Sequence, residues 1–282
     1  MPRLFTFGLG YSARALARRL QRDGWQVAGT CRAAEGHAEL RAMGIEPIPF
    51  DGMGPIAASA LAGTTHLLGS IPPDPDDPAL RQCGAAVAAL PDLAWSGYLS
   101  TTSVYGVTDG STVDEETVCN PASTRGQRRL AAERAWQALP VPAHVFRLSG
   151  IYGPGRSVFD AIKAGRAQRI IKPGQVFNRI HVDDIAAVLH ASIERPRPGR
   201  IYNLADDLAA PSADPVTYAC KLLGIAPPPE IPFGEAVLSD AAREFWADNK
   251  RVSNRRIKEE LGISLAYPTY REGLDAILTS EM

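Results

Sequence analysis

At 282 residues the chain has room for one large α/β domain, or for such a domain with a smaller lobe attached. Apolar content of 45% and charged content of 22% are those of an ordinary globule, which excludes a disordered or fibrous chain. A net charge of −1 supplies no basic surface for nucleic acid or an acidic membrane face.

Residues 4–7 form a short apolar run that ends at Gly8. Gly8-Leu9-Gly10-Tyr11-Ser12-Ala13 follows, then Leu16, Ala17 and Leu20 at helical spacing until Gly24, and residues 25–29 read as the next strand. Strand, glycine turn, helix and strand make the βαβ unit that holds a dinucleotide. Gly8 permits the tight turn, Gly10 lets backbone approach a pyrophosphate, and Ala13 stands where a third glycine lets helix and strand close up. The free N–H groups at Tyr11 and Ser12, with the positive end of the helix dipole, then face the phosphates. An NAD site places an acid at the end of the second strand, bonded to the ribose 2′-hydroxyl. Here Thr30 and Arg32 offer a hydroxyl and a guanidinium fork instead, which suit a 2′-phosphate. NADP is therefore the expected cofactor, with NAD second.

Further strands are predicted at 46–50, 66–70 and 97–101, with helices at 35–43, 56–60 and 78–89. This alternation builds a parallel sheet with helices on both faces and ligands at the C-terminal strand ends. Asp51, Ser70, Ile71, Pro72 and Ser100 are accordingly candidate cofactor contacts, and the proline-rich stretch 71–78 reads as a loop rimming the cleft. Four scattered cysteines and five histidines show no metal-ligand spacing, so no metal site is expected. Nothing at the start resembles a signal peptide and no apolar run reaches the roughly 18 residues of a membrane span, so a cytoplasmic location is expected.

Residues 98–106 (YLSTTSVYG), 145–156 (VFRLSGIYGPGR), 180–184 (IHVDD) and 201–206 (IYNLAD), taken with the glycine motif, resemble the extended short-chain dehydrogenase/reductase superfamily, the NAD-dependent epimerase/dehydratase group, over nearly the whole chain. The resemblance implies a Rossmann-type doubly wound parallel sheet formed by 1–156 and 177–206. A small C-terminal substrate lobe would comprise 157–176 and 207–282. It also implies that Thr101 hydrogen-bonds the reacting oxygen of the substrate. The family frame around its catalytic pair is P-x-S-x-Y-G-x-S-K, and this chain reads Pro121-Ala122-Ser123-Thr124-Arg125-Gly126-Gln127-Arg128-Arg129. Arg125 thus occupies the Tyr position and Arg129 the Lys position, and in lacking the Tyr-Lys pair the chain resembles the atypical branch of the superfamily, whose members keep the cofactor fold.

A tyrosine phenol, ordinarily near pKa ~10, can be drawn toward neutrality by a neighbouring cation, whereas an arginine holds its proton throughout the useful range. Arg129 retains the capacity to donate to ribose hydroxyls, and Arg125 offers a fixed fork for a carboxylate or phosphate of a ligand. Nucleotide-sugar members carry an Arg where Phe177 stands; Arg179 lies two residues on, and the short lobe argues against a nucleotide-bearing substrate. Tyr105, Tyr152, His181 and Asp183 are candidates for a substitute acid or base, with Tyr152 and Arg179 also candidate substrate contacts. Each has a plain alternative: Tyr105 and Tyr152 as packing residues of strand-end turns, His181 and Asp183 as a tie between loop and helix. Asp114, Glu115 and Glu116 read as a solvated loop.

Asp183 and Asp184 read as cap and first-turn acid of the next helix, and residues 200–204 as the last strand. Residues 226–230 form a stiff bridge, and 232–247 a helix with Phe233, Val237, Phe245 and Trp246 available to pack. Residues 250–258 read as a solvated, charge-interleaved approach to a helix ending at Gly262, and Tyr270 begins the last helix. Two functions follow. One is an NADP-dependent oxidoreductase or epimerase/dehydratase-like enzyme acting on a small, anionic molecule, alone or as a homodimer, through Thr101, Tyr105, Arg125 and Arg129. The other is a cofactor-holding sensor that does not turn over.

Overall fold

The computed structural model describes residues 1–32 and 34–281. β1 (Arg3–Phe7) is buried at all five positions, as a parallel strand covered on both faces requires. α1 (Tyr11–Arg22) turns Ala13, Leu16, Ala17 and Leu20 toward the sheet. β2 (Gln26–Cys31), α2 (Ala34–Ala42), β3 (Glu46–Pro49) and β4 (His66–Gly69) follow. α3 (Pro78–Ala88) starts on a proline and is capped by Asp77, whose Oδ1 accepts from the N–H groups of Ala79 and Leu80. β5 (Trp95–Thr101), the two-residue β6 (Thr112–Val113), α4 (Thr124–Ala138), β7 (Ala143–Leu148) and β8 (Gly150–Tyr152) lead to α5 (Val158–Lys163). Then come β9 (Arg169–Ile171), β10 (Arg179–His181), α6 (Val182–Glu194), β11 (Ile201–Leu204), α7 (Ala213–Leu222), β12 (Glu230–Pro232), α8 (Asp240–Ala247), β13 (Arg251–Val252), α9 (Arg255–Leu261) and α10 (Tyr270–Glu281). Among the described residues no helix is long and apolar enough to cross a membrane.

Seven strands form one sheet in the order β11-β7-β5-β4-β1-β2-β3, all parallel. The chain runs outward from β1 to β3 on one side and from β4 to β11 on the other, so the strand order reverses between β1 and β4. A crevice opens beyond the C-terminal ends of strands at such a point. One face is covered by α1, α6 and α9, where Leu16, Leu20, Ile185, Leu189, Ile257 and Leu261 meet the sheet. The other is covered by α3 and α4, with Cys83, Val87, Ala132 and Trp136 against Phe5, Phe7 and Tyr98.

The remaining elements form a smaller body with its own apolar clusters, one around Tyr152, Phe159, Ala219, Tyr270 and Leu274, the other around Ile170, Phe177 and Trp246. Three two-stranded parallel ladders join distant segments: β8 with β10, β9 with β12, and β6 with β13. The C-terminal stretch divides otherwise than expected. Ile257 and Leu261 of α9 belong to the core under the main sheet, so 207–282 is not wholly lobe.

Local readings also shift. Residues 56–60 hold no α-helix but run into a short 3-10 turn, Ala58–Leu61, too brief to bury a helical stripe. The helix expected over 232–247 breaks into a 3-10 turn, Phe233–Glu235, and α8, which starts from a Ser239 cap; Val237 between them is 90% exposed. The cap of α6 is His181, whose Nδ1 accepts from the Asp183 N–H at 3.2 Å. Asp184 is turned inward to accept from the N–H groups of Ala266 and Tyr267.

Candidate active site at the strand ends

The glycine turn after β1 is built around a positive φ of 89° at Gly8, where a Cβ would lie 2.9 Å from Ile71 Cγ1. Gly8 donates its N–H to Thr30 Oγ1 at 2.7 Å and Leu9 donates to the Thr30 carbonyl at 3.0 Å. Thr30 is 1% exposed, so its hydroxyl fastens the turn and is not presented to a ligand, contrary to the sequence reading. Gly10 caps α1 with no side-chain hydrogen bond, and the first turn carries no acidic residue. Among the described residues nothing lies within 4 Å of where a Gly10 Cβ would stand. The first intrahelical bond is Arg14 N–H to Gly10 O, which leaves the N–H groups of Tyr11, Ser12 and Ala13 ahead of it. An open, uncapped helix start of this kind fits a diphosphate. Ser12 and Ala13 are buried and seat the helix, Ala13 fully.

Arg32 is exposed at the end of β2. After β3, Asp51 is exposed and its Oδ1 accepts from Met53 N–H at 2.9 Å. After β4, Ser70 donates its N–H to Phe7 O, Ile71 lies against Gly8, and Pro72 is exposed. The crevice is thus walled by the turn after β1 and the loop after β4. Arg128 Nη1 bonds Asp74 Oδ1 at 2.7 Å and ties that loop to α4.

At the end of β5, Thr101 caps a 3-10 turn (Thr102–Tyr105), its Oγ1 accepting from Ser103 N–H and lying 3.2 Å from Ser103 Oγ. Gly126 in the first turn of α4 approaches so closely that a Cβ there would stand 2.7 Å from Pro121 Cβ and 3.2 Å from Ser103 O. This contact seats the start of α4 against the Ser103 carbonyl, and Arg125, next to Gly126 in sequence, is exposed. Arg129, one helical turn on, is 8% exposed, and its Nη1 donates to Leu99 O at 2.9 Å and to the Tyr98 hydroxyl at 3.2 Å. Its named partners lie on β5, a placement the sequence reading did not anticipate.

Several other candidates carry the site without facing it. Ser100 is buried and donates to Glu133 Oε1 at 2.5 Å. Arg147 binds the same carboxylate through Nε at 3.1 Å and Nη2 at 2.9 Å, and its guanidinium stands 4.9 Å above the Tyr105 ring. Tyr105 is 1% exposed and donates to Asn203 Oδ1 at 2.7 Å; burial pushes its phenol up to about 12. Tyr105 is therefore a packing residue, not an acid or base. Glu115, expected in a solvated loop, is buried, accepts from Asn203 N–H at 2.8 Å, and lies 3.6 Å from the Arg256 guanidinium. Tyr152 is enclosed in the lobe core with its hydroxyl on Thr269 O, and burial raises its phenol as well. Arg179 donates to the carbonyls of Phe177, Ala210 and Pro211 beneath the Tyr270 ring, so it has no fork left for a substrate. His181 is held neutral by burial, against the pull of Asp183. With Nδ1 accepting, its proton sits on a buried Nε2 that has no hydrogen-bond partner among the described residues.

A cavity of about 40 Å³ opens next to the Thr101 turn. The turn after β5 supplies Thr102 and Ser103, β8 supplies Gly150, and Phe177, Phe245 and Lys250 close the other side. Phe245 stacks on Phe177 with ring centroids 4.9 Å apart and planes 9° from parallel. Lys250 is 4% exposed and pairs with Asp248 at 2.8 Å. Sequence reasoning missed these residues because Lys250 opens a charged run that reads as solvated. Its enclosure depends on the tail folding back through β13.

A parallel sheet with its switch point beside a glycine turn, and a small lobe over the strand ends, defines the Rossmann-type fold of the short-chain dehydrogenase/reductase class. The family model for NAD dependent epimerase/dehydratase matches residues 95–205. A protein of unknown function from Silicibacter pomeroyi DSS is 49% identical, with 100% of this chain and 99% of that one matched at a TM-score of 0.93. Protein YeeZ of Escherichia coli (strain K12) is 28% identical over 95% of this chain and 97% of its own length. Human epimerase family protein SDR39U1, solved with NADPH, shares the fold at a TM-score of 0.77 and 17% identity, over 99% of each chain.

Proposed function

We propose that the chain binds NADP and acts as an oxidoreductase or epimerase/dehydratase-like enzyme on a small, anionic molecule. The observation that carries this reading is the uncapped, open start of α1 at the switch point, with Arg32 exposed at the adjoining strand end. The NADPH held by the human protein of the same fold supports it. The amides of Tyr11 and Ser12 would hold the diphosphate, and Arg32 the 2′-phosphate. A bound nicotinamide supplies or accepts hydride. The Thr101 hydroxyl, beside that of Ser103, would donate to the reacting oxygen, and the exposed Arg125 fork would fix the anionic group of the substrate. Arg129 stays with Tyr98 and Leu99 and supports the floor.

Titrating NADPH against NADH tests the cofactor: NADPH binds more tightly, and Arg32→Ala abolishes the preference. Equal affinities in the unmutated protein reject it. Incubating the protein with NADPH and a panel of small oxo-acids and other carbonyl compounds, while following nicotinamide absorbance, tests turnover.

A second reading, a protein that holds NADP without turnover, is favoured by one observation. Tyr105, Tyr152 and His181 are each committed to packing or capping and are unsuited to proton exchange. Tight NADPH binding with no absorbance loss across the panel supports this second reading over the first.

A further inference from the structure

The turn that follows β8 bears on the same helix start from the opposite side. Gly153 and Arg156 exchange backbone bonds, Gly153 N–H to Arg156 O at 3.2 Å and Arg156 N–H to Gly153 O at 3.0 Å. Tyr11, the first residue of α1, donates its hydroxyl to Pro154 O at 2.9 Å and so binds the turn to the glycine loop. Only glycine allows this approach: at Gly153, with φ 155°, a Cβ would lie 2.5 Å from Tyr11 Oη and 2.7 Å from Val182 Cγ1. The turn delivers the Arg156 guanidinium over the Tyr11 ring, Cζ 5.8 Å from the centroid. Arg156 is exposed, and among the described residues its guanidinium makes no hydrogen bond or ion pair. The neighbouring Arg14, by contrast, is spent on Leu9 O and Glu39. The carboxylates of Asp183 and Asp160 and the guanidinium groups of Arg156 and Arg18 all act on the Tyr11 phenol, so an anion arriving at this rim meets two acids that these cations offset.

We propose that Arg156 is a clamp on the diphosphate of the bound dinucleotide, with the Tyr11 ring as its platform. This rests on the dinucleotide reading above. The α1 amides approach the diphosphate from the sheet side and the Arg156 fork closes on it from the turn, two donors matching two phosphate oxygens. Because Ser157, the next residue, caps α5, the clamp joins the cofactor to the first element of the lobe.

The test is the affinity of the full-length protein for NADPH and for NADH, read by nicotinamide fluorescence over a series of salt concentrations. Arg156→Ala weakens both cofactors by the same factor, about tenfold or more as for a lost charge-assisted hydrogen bond. Its salt dependence becomes shallower, Arg156→Lys recovers part of the loss, and circular dichroism and melting stay unchanged because the side chain is exposed. Unaltered affinity for both cofactors in Arg156→Ala overturns the proposal. A loss confined to NADPH also overturns it, because the contact is then to the 2′-phosphate. If the unmutated protein binds neither cofactor, the dinucleotide reading itself fails and the clamp with it.

Discussion

Glu133 and Arg147 show what one buried pair does for this site. Their side chains are 1% and 4% exposed, and the carboxylate takes Ser100 as a third donor. Removing the negative partner strands a guanidinium in the core, at a cost of about 3–5 kcal/mol. Glu133→Gln is therefore expected to lower the urea midpoint sharply without changing the slope, and a midpoint within experimental error of wild type would refute the assignment. Asp206 makes a second prediction. It is 4% exposed, and burial pushes its carboxyl up to about 7 against the pull of Arg179. The unfolded chain releases that proton near pH ~4. Between those values the folded protein binds more protons, so this group's contribution makes stability fall as pH rises from about 4 to about 7. His66, His144 and His181, lowered by burial, act in the opposite sense but are shared with Asp206→Asn. The stability difference between the two proteins at pH 5 and pH 8 should thus shift in favour of the Asn variant at the higher pH. A difference that does not vary with pH contradicts the buried placement.

Among the elements, α4 is positioned by its glycine. In an ordinary helix interior Gly→Ala gains up to about 1 kcal/mol. At Gly126 the added Cβ meets a rigid proline ring and the Ser103 carbonyl, and overpacking of this kind costs about 1–3 kcal/mol. Gly126→Ala should therefore lower the melting temperature and also weaken whatever binds beside Thr101; a stabilised variant would show that the seat is loose. Such contacts also explain which elements were legible in the sequence. β1, α1 and β2 carry strong local signals: an apolar run, a glycine turn and helical spacing. α8 carries a helical pattern too, yet Pro232 to Ser239 take other conformations, and among the described side chains of α8 Trp246 is the one buried in the lobe. Thr30, Ser100 and Glu115 were misread for one reason. A polar residue at a strand end or in a loop looks available, and nothing local reveals that a backbone amide or a buried carboxylate 22, 33 or 88 residues away has claimed it.

For the molecule as a whole, binding at the switch point couples to folding. A ligand that binds only the native state at a hundred times its Kd adds about 2.7 kcal/mol of stability. NADPH should accordingly raise the melting temperature in proportion to the logarithm of its concentration, and Arg32→Ala should shrink the NADPH shift to that of NADH. The glycine turn and helix start at the switch point were readable from one continuous stretch; the small cavity beside Thr101 was not, because its wall comes from segments about 150 residues apart. The ladder between β6 and β13 has a temporal consequence. Asn249, Arg251 and Ser253 hydrogen-bond to Val107, Ser111 and Val113, and Lys250 between them closes the small cavity. On the ribosome, the nucleotide crevice has all its strands once residue 204 has emerged, whereas the chamber beside Thr101 waits for the arrival of residue 253. A nascent chain can therefore acquire its cofactor cradle before it owns a place to put a substrate.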